Sequence, residues 1–169
     1  GYQISQYDEP IAEHGKMTLT FPLETNIRDT AEIGIRRAHL EEDTAQSTHD
    51  THEKSLINFN RAGVPLLELV TEPVIHDAET AVAFAKELQL LLQYSGAGEA
   101  NMEKGEMRVE ANISIASAED TEAQKFGTKT EVKNLNSFKV VEKAIAYEIK
   151  RQSEILEKGE KVVQETRGW

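Results

Sequence analysis

The chain has 169 residues, 38% of them apolar, with 30 acidic side chains against 19 basic ones and a formal charge of −11. That length can bury a sizeable core and most economically forms one domain, while the acidic balance argues against a general grip on nucleic-acid phosphate by this segment. It has no cysteine, which excludes disulfides and thiolate zinc sites, and no apolar run approaches the roughly 20 residues of a membrane span.

The first half reads as short β-rich runs at residues 2–6, 17–21, 33–40, 55–60 and 66–71, separated by turn-rich or charged stretches. Strands so closely spaced predict antiparallel neighbours. Asp77 is a plausible N-cap for a helix whose apolar stripe runs Ala78, Ala81, Val82, Ala85, Leu88 and Leu92, with Phe84 and Leu91 extending the face, and Gly96 and Gly98 just beyond its end. Residues 107–115 alternate, with Val109, Ala111, Ile113 and Ile115 on one face and Arg108, Glu110, Asn112 and Ser114 on the other. The polar stretch 117–125 reads as a surface loop, and 128–134 alternate again as a strand. Asn136 or Ser137 caps a second long helix with the stripe Phe138, Val141, Ile145, Ile149 and Leu156, which Gly159 should stop. Strands first, then two helices interleaved with later strands, predict an α+β fold: a mainly antiparallel sheet with two long helices packed on it. Neither a GxxxxGK[ST] nor a GxGxxG loop occurs, so a nucleotide would have to be held by another route. Gly1 in first place, no signal-peptide pattern after it, and the polar run 164–167 close to Trp169 read as a piece of a longer polypeptide. A reducing setting, cytoplasm or organelle matrix, suits a chain without cysteine.

Between His39 and Lys54 stand Glu41, Glu42, Asp43, Asp50 and Glu53. Carboxylates that converge in a cleft raise one another's pKa unless a cation offsets the repulsion, and Mg²⁺ prefers such oxygens. The same run also fits a solvated acidic turn. Glu68 interrupts the apolar run Val64, Pro65, Leu66, Leu67, Leu69, Val70, which otherwise reads as a buried strand. A carboxylate there is ligated, hydrogen-bonded, or on the solvent side of an edge strand. Arg108, Glu110 and Asn112 put a cation, an acid and an amide along one strand face, a set that can orient a phosphate or an ammonia nucleophile, or simply face water. His49 and His52 form an H-x-x-H, and His39 could be a ligand beside Glu41 or a histidine satisfied by hydrogen bonds.

Taken in order, Y-Q-I-S-Q-Y-D at 2–8, I-G-I-R-R-A-H-L-E-E-D at 33–43, N-R-A-G-V-P-L-L-E-L-V-T-E-P at 60–73, N-M-E-K-G-E-M-R-V-E-A-N-I-S at 101–114, T-E-V-K-N-L-N-S-F at 130–138 and Q-E-T-R at 164–167 resemble the B subunit of the aspartyl/glutamyl-tRNA amidotransferases. The resemblance covers nearly the whole chain. It implies that residues 1–169 are part of an α+β cradle domain similar to the glutamine synthetase fold, working beside an amidase-type glutaminase A subunit and a small C subunit. It also implies ATP and Mg²⁺ as cofactors in phosphorylating the side-chain carboxylate of Glu or Asp misacylated on tRNA(Gln) or tRNA(Asn). Ammonia, released from glutamine by the A subunit, would then displace the phosphate. On this pattern Glu42 and Glu68 are metal ligands, with Glu41 as neighbour, since adjacent strand residues point to opposite faces. Arg108 is the phosphate contact, and Glu110 stands where the family more often has Asp and where the ammonia path opens, with Asn112 beside it. After H-L-E-E-D this chain has Thr44, Ala45 and Gln46 in place of the family's usual Gly-Lys pair before Ser. The family's N-terminal E-x-H strand and its C-terminal helical and tail domains lie outside these residues, so the chain alone is expected to be inactive. A non-catalytic tRNA-binding or assembly module, or a closed structural metal site, would instead leave the acidic cluster without a catalytic role.

Overall fold

The computed structural model describes residues 3–21, 30–49, 55–123 and 125–169. The chain gathers into two compact units, residues 1–74 and 75–169. Together they make an α+β protein whose strands are antiparallel with a single exception among the described residues.

In residues 1–74 the order is β1 (Ala12–Thr20), β2 (Thr30–Glu42), β3 (Gln46–His49), β4 (Ser55–Asn58) and β5 (Pro65–Thr71). β2 is the middle strand of a three-stranded sheet, paired antiparallel with β1 on one side and β5 on the other. Its pairing with β5 slips between Ile35 and Arg37, so that Arg36 is an extra residue facing no partner of its own on β5. A bulge of this kind shifts the alternation by one. Ile33 and Ala38, five apart, are both buried in consequence. Arg37, His39 and Glu41 take the other face, where Tyr7 meets both Arg37 and His39.

Two turns hold the register beyond the bulge. The Asp43 N–H donates to Val64 O, the Gly63 N–H donates to Asp43 O, and the Arg61 Nε donates to the Asp43 carboxylate at 2.7 Å. Gly63 takes a φ of +77°, where a side chain would be strained. This clamp starts β5 so that Glu68 falls opposite His39. Ahead of β1, residues 3–11 run along the end of β2 that β1 leaves open, through Gln6 N to Leu40 O, Glu42 N to Ile4 O and Ile11 N to Ala38 O. The strand expected at residues 2–6 is therefore only a bridge between Ser5 and Glu41, because the chain turns at Tyr7 and reaches Pro10, which has no N–H to pair. The acidic stretch after β2, expected as a turn, opens with β3, which pairs with β4 in a hairpin of its own.

In residues 75–169 follow α1 (Ala78–Tyr94), β6 (Val109–Ile113), α2 (Ala118–Glu122), β7 (Thr130–Leu135), α3 (Phe138–Glu157) and β8 (Thr166–Gly168). Asp77 caps α1 by accepting from the Thr80 N–H, and Ser137, rather than Asn136, caps α3. Gly96 and Gly159 close the two helices at φ of +73° and +74°. The expected surface loop at 117–125 contains the single turn α2, started by the Ser117 side chain. One core joins Val82 and Ala85 of α1 to Ile113 of β6, Val132 and Leu135 of β7, and Val141, Ala144 and Ile145 of α3. Leu91, expected on the apolar face of α1, is exposed. β8 was not expected, and it lies parallel to β7.

The buried face of α3 continues past its apolar stripe into Glu148 and Gln152, both fully buried. Arg151 meets Glu148 through two contacts, at 2.9 and 2.6 Å, and also reaches Thr130 Oγ1. Gln152 Nε2 donates to Glu148 and to Ile113 O, while Arg167 of β8 approaches Glu148 at 3.8 Å. Burial pushes the Glu148 carboxyl up, but the hydrogen bonds from Arg151 and Gln152 outweigh it and hold the group below the ordinary 4.5. The carboxylate thus ties α3 to β7 and β8. Removing one partner of such a buried pair strands the other charge, so Glu148→Ala should cost about 3–5 kcal/mol in urea unfolding. A group with a lowered folded pKa contributes fully above 4.5 and loses that contribution as pH falls through the folded value. Glu148→Gln should accordingly flatten the acid limb of stability against pH, which melts over a pH series would read.

Candidate functional site

The site is built where β2 and β5 pair. His39, Glu41 and Glu68 each bring a ligand atom within 4.8 Å of the others. His39 and Glu41 are two apart on β2 and share a face, and Glu68 enters from β5 directly opposite His39. Glu42 is one residue further and turns to the other face of the strand, so it does not join the group. Of the two adjacent acids, the geometry brings Glu41 and not Glu42 to Glu68. Asp43 plays a different part, since its carboxylate is the Arg61 partner that sets the turn into β5.

Glu41 is held by three donors. Ser5 Oγ donates to its Oε1 at 2.9 Å, His39 Nε2 lies 3.2 Å from the same oxygen, and Gln3 Nε2 donates to Oε2 at 3.0 Å. These three contacts take most of the roughly four lone-pair positions of the carboxylate, and Glu68 is a further hydrogen-bonding neighbour. His39 is fully buried, and its Nδ1 has no partner among the described residues. The tautomer with the proton on Nε2 satisfies that N–H on Glu41 and leaves Nδ1 a bare acceptor, which is less costly to bury than an unpaired N–H. A histidine that binds a metal commonly donates its second N–H to an acceptor, and none stands at Nδ1 among the described residues. In that tautomer His39 donates to Glu41 and orients it. Tyr7 packs edge-on to the imidazole at 5.7 Å and carries the Arg37 guanidinium over its face at 3.6 Å.

The two carboxyls are shifted in opposite directions. Burial pushes Glu41 up, but the hydrogen bonds from Ser5 and His39 outweigh it and hold the group below the ordinary 4.5. Glu68 is raised, first by burial and then by the Glu41 charge beside it. With its side chain half-exposed at 50%, Glu68 sits on an edge strand rather than the buried one its apolar neighbours suggested. A carboxylate fixed by donors next to one whose pKa is raised fits a hard divalent cation, which Glu41 and Glu68 would hold and which would offset the repulsion that burdens Glu68.

Glu110 and Asn112 occupy alternate positions of β6, and Arg108 precedes it; all three are exposed. Glu110 pairs with Lys133 of β7 at 3.3 Å. The β6–β7 pairing slips between Val109 and Ala111, and Asn134 on β7 takes a φ of +66°. Asn112 borders a polar cavity of ≈ 420 Å³ with Lys129, Glu131 and Thr166. Of the H-x-x-H pair, His49 ends β3, and His52 lies outside the described residues, as do Asp50 and Glu53. No helix among the described residues is long and apolar enough to cross a membrane. Sequence reading did not single out Gln3, Ser5 and Tyr7, although their spacing of two, along a stretch of extended chain, was the signal that they could share a face.

The family described as GatB/GatE catalytic domain matches residues 1–169. A protein of Thermodesulfovibrio yellowstonii, named as the B subunit of an aspartyl/glutamyl-tRNA(Asn/Gln) amidotransferase, is 47% identical over 170 residues, covering 100% of this chain and 34% of that protein. Proteins of the same name from Coxiella burnetii and Trichodesmium erythraeum are 50% and 44% identical, each covering 99% of this chain. The chain spans 34% and 35% of their lengths.

The Glu68 pKa sets a pH dependence. A raised folded pKa contributes stability that is present below the ordinary 4.5 and is lost as pH rises through the folded value. With chelator present, melting temperatures of Glu68→Gln should therefore fall less than those of the parent between about pH 4 and 8. Parallel pH profiles for the two would show that the Glu68 carboxyl carries no such burden.

Proposed function

The chain belongs to the GatB/GatE catalytic domain family, and we propose that it carries the activation site of a tRNA-dependent amidotransferase, a carbon–nitrogen ligase. In this reading the side-chain carboxylate of Glu or Asp misacylated on tRNA(Gln) or tRNA(Asn) is phosphorylated by ATP, and ammonia then displaces the phosphate. The ammonia comes from glutamine hydrolysed by an amidase-type A subunit, with a small C subunit completing the complex.

One observation carries the reading: Glu41 and Glu68 converge across the β2–β5 register, with Glu41 kept charged by three donors. Glu41 and Glu68 would hold Mg²⁺, which would supply the positive charge that phosphoryl transfer needs without a phosphate-binding loop. Glu41 supplies an oxygen already aimed and ionised. Glu68 would supply the second oxygen, and a cation there would offset the burial and the Glu41 charge that raise its pKa. In residues 75–169 we assign Arg108 to phosphate and Glu110, with Asn112, to the ammonia nucleophile, on the family motif they match and on their exposure. An acidic chain suits this division of labour, with the grip on tRNA left to other parts of the enzyme.

The test uses the complete amidotransferase. Glu68→Gln keeps the shape and hydrogen-bonding capacity but removes the charge that holds the cation. ATP-dependent amidation at limiting Mg²⁺ should fall on the order of a hundredfold, with basal glutamine hydrolysis retained, since that reaction takes place on the A subunit. Normal amidation by Glu68→Gln under those conditions would refute the assignment, and equal loss of both activities would mark a folding defect instead.

A further inference from the structure

We propose that residues 3–7 are the orienting wall of the activation site, with Gln3 and Ser5 as positioning residues that fix the metal-binding carboxylate of Glu41. The proposal rests on the reading of Glu41 and Glu68 as cation ligands and extends it to a segment outside the acidic motif.

The geometry is specific. Gln3, Ser5 and Tyr7 recur at a spacing of two along chain that runs beside β2, and all three turn to the same cluster. Ser5 Oγ takes one position on Glu41 Oε1, and Gln3 Nε2 takes one on Oε2. The same Gln3 amide also donates to Glu42 O at 2.8 Å, which anchors its head between side chain and backbone. Tyr7 backs the imidazole that takes the second position on Oε1. Backbone bonds from Gln6 N to Leu40 O and from Glu42 N to Ile4 O hold the segment in this register, so the donors are placed by main-chain pairing rather than by flexible side chains alone.

What this wall does follows from counting lone pairs. Without it, Glu41 could rotate about its last torsion and present its two oxygens in several arrangements. With Ser5 and His39 on Oε1 and Gln3 on Oε2, three positions of the carboxylate are taken and its orientation toward Glu68 is set. A cation there would be held by Glu41 in that one orientation. Outer hydrogen bonds of this kind typically carry 10–100-fold in metal affinity. Gln3 and Ser5 are exposed, so their loss should disturb the ligand without opening a core.

The experiment measures Mn²⁺ binding to the complete enzyme by electron paramagnetic resonance, with Mg²⁺ as competitor, and compares parent, Gln3→Ala, Ser5→Ala, Ser5→Thr and Glu68→Gln. Melting temperatures are recorded alongside. Glu68→Gln defines which Mn²⁺ belongs to the site. The expected result is a Kd about tenfold weaker for Gln3→Ala and for Ser5→Ala at unchanged melting temperature, with Ser5→Thr close to the parent because it keeps the hydroxyl. Unchanged Mn²⁺ Kd in both alanine variants, beside a weakened Glu68→Gln, would overturn the positioning role and leave the metal reading standing. Mn²⁺ binding indifferent to Glu68→Gln would overturn the metal reading, and the positioning role with it.

Discussion

The candidate site depends on one constraint, the register in which β5 pairs with β2. Side chains on a strand alternate, so a slip of one residue would carry Glu68 to the opposite face and separate it from His39 and Glu41. Two local features hold that register. At one end the Asp43 carboxylate clamps Arg61 and the backbone of the turn that leads into β5. At the other, the bulge at Arg36 adds a residue to β2, so that the strand can bury Ile33 and Ala38 on one face and present His39 and Glu41 on the other. The third acid of H-L-E-E-D thus acts on the site at a distance, through backbone placement, while the first acts by contact.

Within the cluster, charge is distributed unevenly. Two carboxylates side by side cannot both ionise at low cost, and the donors decide which one does. Gln3 and Ser5 serve Glu41 alone, and His39 Nε2 lies nearer to Glu41, at 3.2 Å, than to Glu68, at 3.6 Å, so the pKa of the first is lowered and that of the second raised. An arrangement built only for stability would have divided the donors. The uneven one suits a group whose charge state changes when a cation arrives.

Residues 75–169 solve a different problem with the same physics. β8 is three residues long and pairs parallel to β7, a weaker and shorter contact than the antiparallel pairings elsewhere. Its attachment is reinforced from beneath. Arg167 reaches the buried Glu148 on α3, and Thr166 donates to Glu131 on β7 at 2.7 Å. The charge of Glu148 is tolerated only because Arg151 and Gln152 meet it from the same helix.

The sequence alone determined the elements that depend on neighbours along the chain. Both long helices, their caps at Asp77 and at Asn136 or Ser137, the stops at Gly96 and Gly159, and the alternation of Glu110 and Asn112 against Ala111 and Ile113 are local in origin, because propensity, capping and side-chain period act over a few residues. The ordered motifs likewise identified the family without reference to space. Only the tertiary structure decided which acid of Glu41 and Glu42 meets Glu68, since that choice turns on a bulge and on a register set by Arg61, 18 residues from its partner Asp43. The burial of Glu148 and Gln152 on α3 likewise depends on Ile113 and Arg167 from other elements, which meet Gln152 and Glu148 in turn. Gln3 and Ser5 read as ordinary polar residues until the chain returns 38 and 36 residues later to place Glu41 beside them. Hydrogen bonds and charge pairs between distant segments leave no periodic trace in the sequence, so their partners become known only when the backbone brings them together.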